Sequence, residues 1–199
     1  MKKLVLAVVL VAGALTFVLA STALADDDNG GTFRATLNGY HEVTGGAEPP
    51  PPPPDQPTPP PRTGSVSTIA EGRFEVKLRN GFAEYRLTYS NIEGGSTTQA
   101  HIHFAEEHVG GGVITFLCGG GTKPSPCPTT GGTVTGTITP ADIIGPTDQG
   151  IEPMSFSEFV RAMRAGATYA NVHSTRWPEG EIRGQLNGRG NGGDNDDDD

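Results

Sequence analysis

Three histidines stand at spacings from which imidazole chemistry could converge. "QAHIHF", residues 99 to 104, places His101 and His103 two apart, and "YANVHSTRWPEGEIRGQL", residues 169 to 186, supplies His173. Neutral imidazole is a good ligand for copper and zinc. Two histidines at i and i+2 of a strand point to the same face, with Cα atoms about 6.6 Å apart. A mononuclear three-histidine site is therefore one reading of the pattern. The other is a polar network, in which Glu181 and Arg183 form a charge-assisted pair while the histidines bond to carbonyls and to Asn171.

Either reading depends on strands to place these side chains. Ile102 in a core sends His101 and His103 together to the opposite face. The same alternation sets Val172 inward with Tyr169, Asn171 and His173 outward, and Ile182 and Leu186 inward with Glu181, Arg183 and Gln185 outward. If the strands are neighbours, one exposed polar face collects three histidines, an acid and an arginine. The surrounding sequence supports them. Phe33, Ala35 and Leu37 alternate in "TFRATL", and "RFEVKLRNGFAEYRLTYS" alternates apolar with charged residues on both sides of Asn80-Gly81, which predicts a hairpin. Further strands are expected near residues 98 to 104, 112 to 117, 132 to 138, 168 to 174 and 180 to 186. Only "SFSEFVRAMRAG" has helical periodicity: Ser155 and Glu158 form a capping box, Phe156, Phe159, Val160 and Met163 share a face, and Gly166 ends it. The expected fold is all-β, an antiparallel Greek-key-like β-sandwich with one short inserted α-helix.

The flanks set the compartment. Met1, Lys2 and Lys3, the apolar run "LVLAVVLVAGALTFVLA" and the small-residue site at Ala23 to Ala25 read as a signal peptide over residues 1–25, cut after Ala25. That makes the mature protein secreted or periplasmic, with no membrane span once the leader is removed. Of 14 basic and 23 acidic residues, Lys2 and Lys3 leave with the leader, so the formal charge of -9 becomes more negative still, which argues against nucleic acid and anionic lipid as partners. In that oxidising compartment, Cys118 and Cys127, the only 2 cysteines, are expected to form a disulfide; thiolate ligation of zinc or copper would need their loop to fold back to the histidines. Prolines crowd residues 49–61, an expected polyproline II excursion within a domain of residues 26–188. Residues 189–199 read as a disordered, solubilising acidic Gly/Asp tail. No nucleophile elbow, phosphate loop or paired-carboxylate signature occurs, so an enzyme reading rests on the histidines alone.

Taken together, "FRATLNGYHEV", "AHIHF" and "YANVHSTRWPEGEIRGQL" resemble the CHRD (chordin) domain family. Gly39, Glu42 and Val43 match its opening motif, and Ala100, His101 and His103 its A-H-I-H. Tyr169, Asn171, Val172, His173, Pro178, Gly180, Glu181, Arg183 and Gly184 match its closing motif. The long proline insert after Glu42-Val43 departs from the family pattern, and Ser174 stands where threonine is usual. The resemblance implies a β-sandwich with no established catalytic activity. In chordin such domains belong to an extracellular antagonist of growth-factor signalling, a role that a bacterial-type leader makes inapplicable here. A His-x-His strand is also similar to the copper half of Cu,Zn superoxide dismutases. Their full binuclear site takes six histidines and an aspartate, whereas this chain has 5 histidines in all, His41, His101, His103, His108 and His173, so only a half site could form. Two functions follow: a non-enzymatic extracytoplasmic binding or structural module acting on an unknown protein or an envelope or matrix component, or a copper- or zinc-binding protein using His101, His103 and His173.

Overall fold

A computed structural model describes residues 30–43 and 64–188. The expected signal peptide, polyproline stretch and acidic tail lie outside the described residues. Among the described residues there are nine strands: β1 (Thr32–Asn38), β2 (Glu71–Arg79), β3 (Phe82–Ser90), β4 (Thr97–Phe104), β5 (Gly112–Cys118), β6 (Gly132–Ile138), β7 (Thr168–Ser174), β8 (Ile182–Gln185) and the short β9 (Asn187–Gly188). One helix, α1 (Phe156–Arg164), lies between β6 and β7. The alternation read from the sequence sets these strands, and the hairpin turn falls where expected. Arg79 pairs with Phe82 across Asn80-Gly81, and Gly81 takes the left-handed conformation (φ 78°) that a tight two-residue connection favours.

All the strand pairs are antiparallel, in the order β5-β4-β7-β8-β1-β2-β3-β6, with β9 also on β1. The chain crosses between the halves β5-β4-β7-β8 and β1-β2-β3-β6 after β3, after β5 and, through α1, after β6, which gives the Greek-key-like connectivity. The end strands β5 and β6 approach one another, so the sheet nearly closes into a sandwich around its core. That core is built from the inward residues of both halves, among them Leu37, Phe74, Val76 and Leu87 from one and Ala100, Ile102, Ile114 and Val172 from the other. Tyr85 of β3, the strand beside β6, ties the two halves together by donating its hydroxyl proton to the Leu117 carbonyl of β5 at 2.7 Å. Cys118 and Cys127 are bridged, so both sulfurs are committed to each other and thiolate ligation is excluded for them.

Helix α1 buries Phe159, Val160 and Met163, as its periodicity predicts, with Phe156 packed partly against the core. Its N-terminus differs from the expected capping box: the Ser155 side chain makes no capping hydrogen bond, and Glu158 reaches back to the Glu152 amide at 2.9 Å. The acid still satisfies an amide ahead of the helix, from one turn further out.

Candidate functional site

The site sits on the face of β4, β7 and β8 opposite the apolar core. Cross-strand register creates it. His101 faces Asn171, His103 faces Tyr169, and Gln99 faces His173. On the other side of β7, Asn171 faces Arg183 and Tyr169 faces Gln185. His101 and His103 are thus alternate residues of one strand, and His173 is a diagonal neighbour on the next. The ring centroids lie 5.3 Å apart for His101 and His103, 4.7 Å for His101 and His173, and 6.0 Å for His103 and His173. One potential ligand nitrogen from each ring lies within 4.8 Å of the other two.

The polar face is not exposed as its sequence suggests. His101, His103 and His173 are only 5%, 8% and 7% exposed, and Asn171, Glu181 and Arg183 are buried with them. The reason is a cover of three chain connections. The segment between β4 and β5 lends the Gly111 carbonyl to Nδ1 of His103 at 2.9 Å and the Glu106 carbonyl to Arg183 at 3.1 Å. The segment between β7 and β8 lends the Pro178 carbonyl to Nδ1 of His173, also at 2.9 Å. A single 3-10 turn after β1, Gly39–His41, brings Glu42 over Asn171, whose amide donates to its carboxylate.

These carbonyls decide the tautomers. A carbonyl only accepts, so Nδ1 of His103 and of His173 carries the proton and each Nε2 presents a lone pair. Nε2 of His103, Nε2 of His173 and both ring nitrogens of His101 are buried and have no hydrogen-bond partner among the described residues. Leaving such groups unpaired costs about 1–3 kcal/mol each, so their clustering needs a reason. Burial keeps the rings uncharged: desolvation pushes His101 down to about 2, helped by the charges His173 and His103 would carry, and His103 to about 4, against the Gly111 carbonyl. His173 is lowered as well, by burial first. Imidazole held neutral near pH 7 is the form in which histidine ligates a metal, and His103 and His173, each with Nδ1 tied to a carbonyl, are oriented as ligating rings usually are, while His101 has no such tie. A cleft of about 470 Å³ opens over the cluster, lined also by Gln99, Gly111, Gln149, Tyr169, Pro178 and Glu179. His101, His103 and His173 all line this cleft, so they are the residues that would hold a cation entering from it.

Packing fixes the rings further. Phe116 meets His101 edge-on at 4.4 Å, while Tyr169 stacks on His103 at 4.7 Å with the planes 2° apart. The other sequence-assigned residues separate by role. The Asn171 amide, expected to bond to the histidines, donates instead to the Glu42 carboxylate and the Ile182 carbonyl. The expected Glu181–Arg183 pair is not formed. Glu181 accepts from Thr68 Oγ1 at 3.0 Å and from the Glu93 and Gly94 amides at 2.8 and 3.1 Å. Its residue lies just before β8, where strand alternation no longer aims the side chain, and those amides capture it. Arg183 instead lays its guanidinium over the Tyr169 ring at 3.4 Å.

The residue that sequence reasoning misses is Glu42. It is buried, and desolvation pushes its carboxyl up to about 7 despite the Val43 amide, Arg183 and Asn171. In sequence it is only a motif residue, 129 positions from the Asn171 amide it meets. Gly180 reports the same contact: at φ 135°, a Cβ there would lie 2.4 Å from the Glu42 carboxylate and 2.5 Å from the Asn171 amide.

No match is found among curated proteins or among solved structures. The CHRD domain family model matches residues 33–186, from the second residue of β1 to just past β8, and so spans both halves of the sandwich and every residue of the histidine cluster. The chain belongs to the CHRD domain family.

Proposed function

We propose that this chain is an exported CHRD-domain protein that binds one copper or zinc ion through His101, His103 and His173. The observation that carries the reading is the convergence of three buried, neutral rings whose Nε2 atoms have no partner among the described residues. A purely structural network would pair those nitrogens, as it does Nδ1 of His103 and His173. Tetrahedral coordination at bond lengths of about 2.0–2.1 Å places nitrogens roughly 3.4 Å apart, so ring nitrogens that lie within 4.8 Å of one another would draw in by up to about 1.4 Å to close on an ion. The donor set contains no acid, so the ion keeps its full charge and an exchangeable ligand in the cleft completes its shell. Export is supported by the sequence of residues 1–25 and by the Cys118–Cys127 bridge.

The role is one of binding, exerted in the cell envelope, its matrix or the medium. Metal analysis of the protein purified from the compartment to which it is exported tests this reading. One equivalent of copper or zinc per chain is expected, and none in a His103→Ala protein of unchanged fold. Metal-free protein from that compartment, unable to take up either ion, contradicts it.

A further inference from the structure

A second cleft, of about 700 Å³, lies on the outer face of β1, β2 and β3 and contains none of the three clustered histidines. Alternate residues of adjacent strands line it. Arg34, Glu75 and Arg86 form one cross-strand row, and Thr36, Arg73 and Thr88 the next. Glu75 is spent on two cations, Arg34 at 2.6 Å and Lys77 at 2.9 Å. Arg73 and Arg86 are exposed and have no ion-pair partner among the described residues. Glu107 is the other acid lining the cleft. The face therefore concentrates positive charge in a chain whose formal total is -9.

The chain itself carries a complementary segment. Its described part ends at Gly188 on β9, which pairs with Phe33 of β1, and the preceding residue, Asn187, lines the cleft. Beyond it runs "RGNGGDNDDDD", with Asp194 and Asp196 to Asp199. The span from Gly188 to Asp194 reaches up to about 20 Å. Three strand spacings, from β9 across β1 and β2 to β3, amount to roughly 14 Å. Arginine takes carboxylate through paired N–H donors, and a short tether supplies the acid at an effective concentration on the order of millimolar.

We propose that the acidic tail docks in this cleft, with its aspartates as the partners of Arg73 and Arg86, so that the chain occupies its own cationic face. The test is nuclear magnetic resonance of the full chain and of the same chain carrying D194N, D196N, D197N, D198N and D199N, at low and high salt. At about 20 mM NaCl the amide and guanidinium signals of Arg73 and Arg86 are expected to differ between the two proteins. The difference should collapse by about 0.5 M, where screening shortens the reach of exposed charges to a few ångströms. In an Arg73→Gln, Arg86→Gln chain the tail signals should lose their salt dependence. Identical arginine signals in the two parent proteins at low salt would overturn the proposal. So would added polyaspartate shifting Arg73 and Arg86 as strongly in the unmodified chain as in the neutralised one, because the cleft would then be open to a foreign polyanion.

Discussion

His103 and Tyr169 stack face to face across β4 and β7, with ring centroids 4.7 Å apart and planes within 2° of parallel. Tyr169 is held from its other side by Arg183, and its hydroxyl accepts from the Gly111 amide at 3.3 Å. The adjacent Gly111 carbonyl fixes Nδ1 of His103. Ring and loop thus orient one imidazole together. Tyr169→Phe keeps the stack and is expected to cost about 1 kcal/mol with metal affinity little changed. Tyr169→Ala removes the platform and should cost about 3–5 kcal/mol and weaken metal binding roughly tenfold or more. Urea unfolding and chelator competition on both variants measure the split; equal affinities would show that the stack does not orient the ring.

Acid should destabilise the metal-free protein. His101 and His103 are held near 2 and 4 in the fold, against 6.5 in a free chain. Below pH 6.5 the unfolded chain therefore takes up protons that the folded chain cannot, and stability falls with pH. Glu42 works in the opposite direction. Raised from 4.5 to about 7, it binds its proton in the fold first and adds stability as pH falls from 7 to 4.5. The balance of these three groups is one proton in favour of unfolding, or about 1.4 kcal/mol per pH unit between pH 6 and 5. His173, also lowered, adds in the same direction. Unfolding free energies at pH 7, 6 and 5 read this directly; a flat or rising trend towards pH 5 contradicts the burial argument.

Gly180 is expected to tolerate no side chain. Alanine there meets both the left-handed backbone and the Glu42–Asn171 contact, at 2.4 and 2.5 Å from their polar atoms. A loss of about 2–4 kcal/mol is expected for Gly180→Ala, from strain and from a displaced buried carboxyl. A thermal melt within a degree or two of the parent would show that Glu42 is free to move.

The disulfide should matter to stability and not to metal. Cys118 and Cys127, nine positions apart, close a short loop at the end of β5. Replacing both by serine should cost roughly 2.5 kcal/mol in the loop-entropy estimate and leave the metal stoichiometry unchanged. Lost stoichiometry in a folded variant would tie the loop to the site.

Much of this arrangement is visible in the amino-acid sequence because strands have a period of two. The alternation around Asn80-Gly81 gives the hairpin, and the parity of Ile102 and Val172 brings the three histidines to one face. What lies over that face is not visible. The covering segments between β4 and β5, between β7 and β8 and after β1 have no periodicity, and they act through the carbonyls of Gly111, Pro178 and Glu106, which any residue could supply. Hence the sequence suggests an exposed polar face, where truncation would cost little, while the protein buries it. For the same reason Glu181 was expected beside Arg183 and lies instead on the amides of Glu93 and Gly94.

The central claim is that His101, His103 and His173 form one metal site, and equilibrium titration tests it most directly. Copper and zinc, in competition with a chromophoric chelator, are added to the metal-free protein and to its His101→Ala, His103→Ala and His173→Ala variants, with the fold of each checked by circular dichroism. The account predicts one equivalent bound more tightly than micromolar by the parent protein. It also predicts that binding weakens as pH falls through the imidazole range and that every single substitution abolishes the stoichiometric site. A parent protein that binds neither ion at micromolar strength, or alanine variants that bind as tightly as the parent, would contradict it.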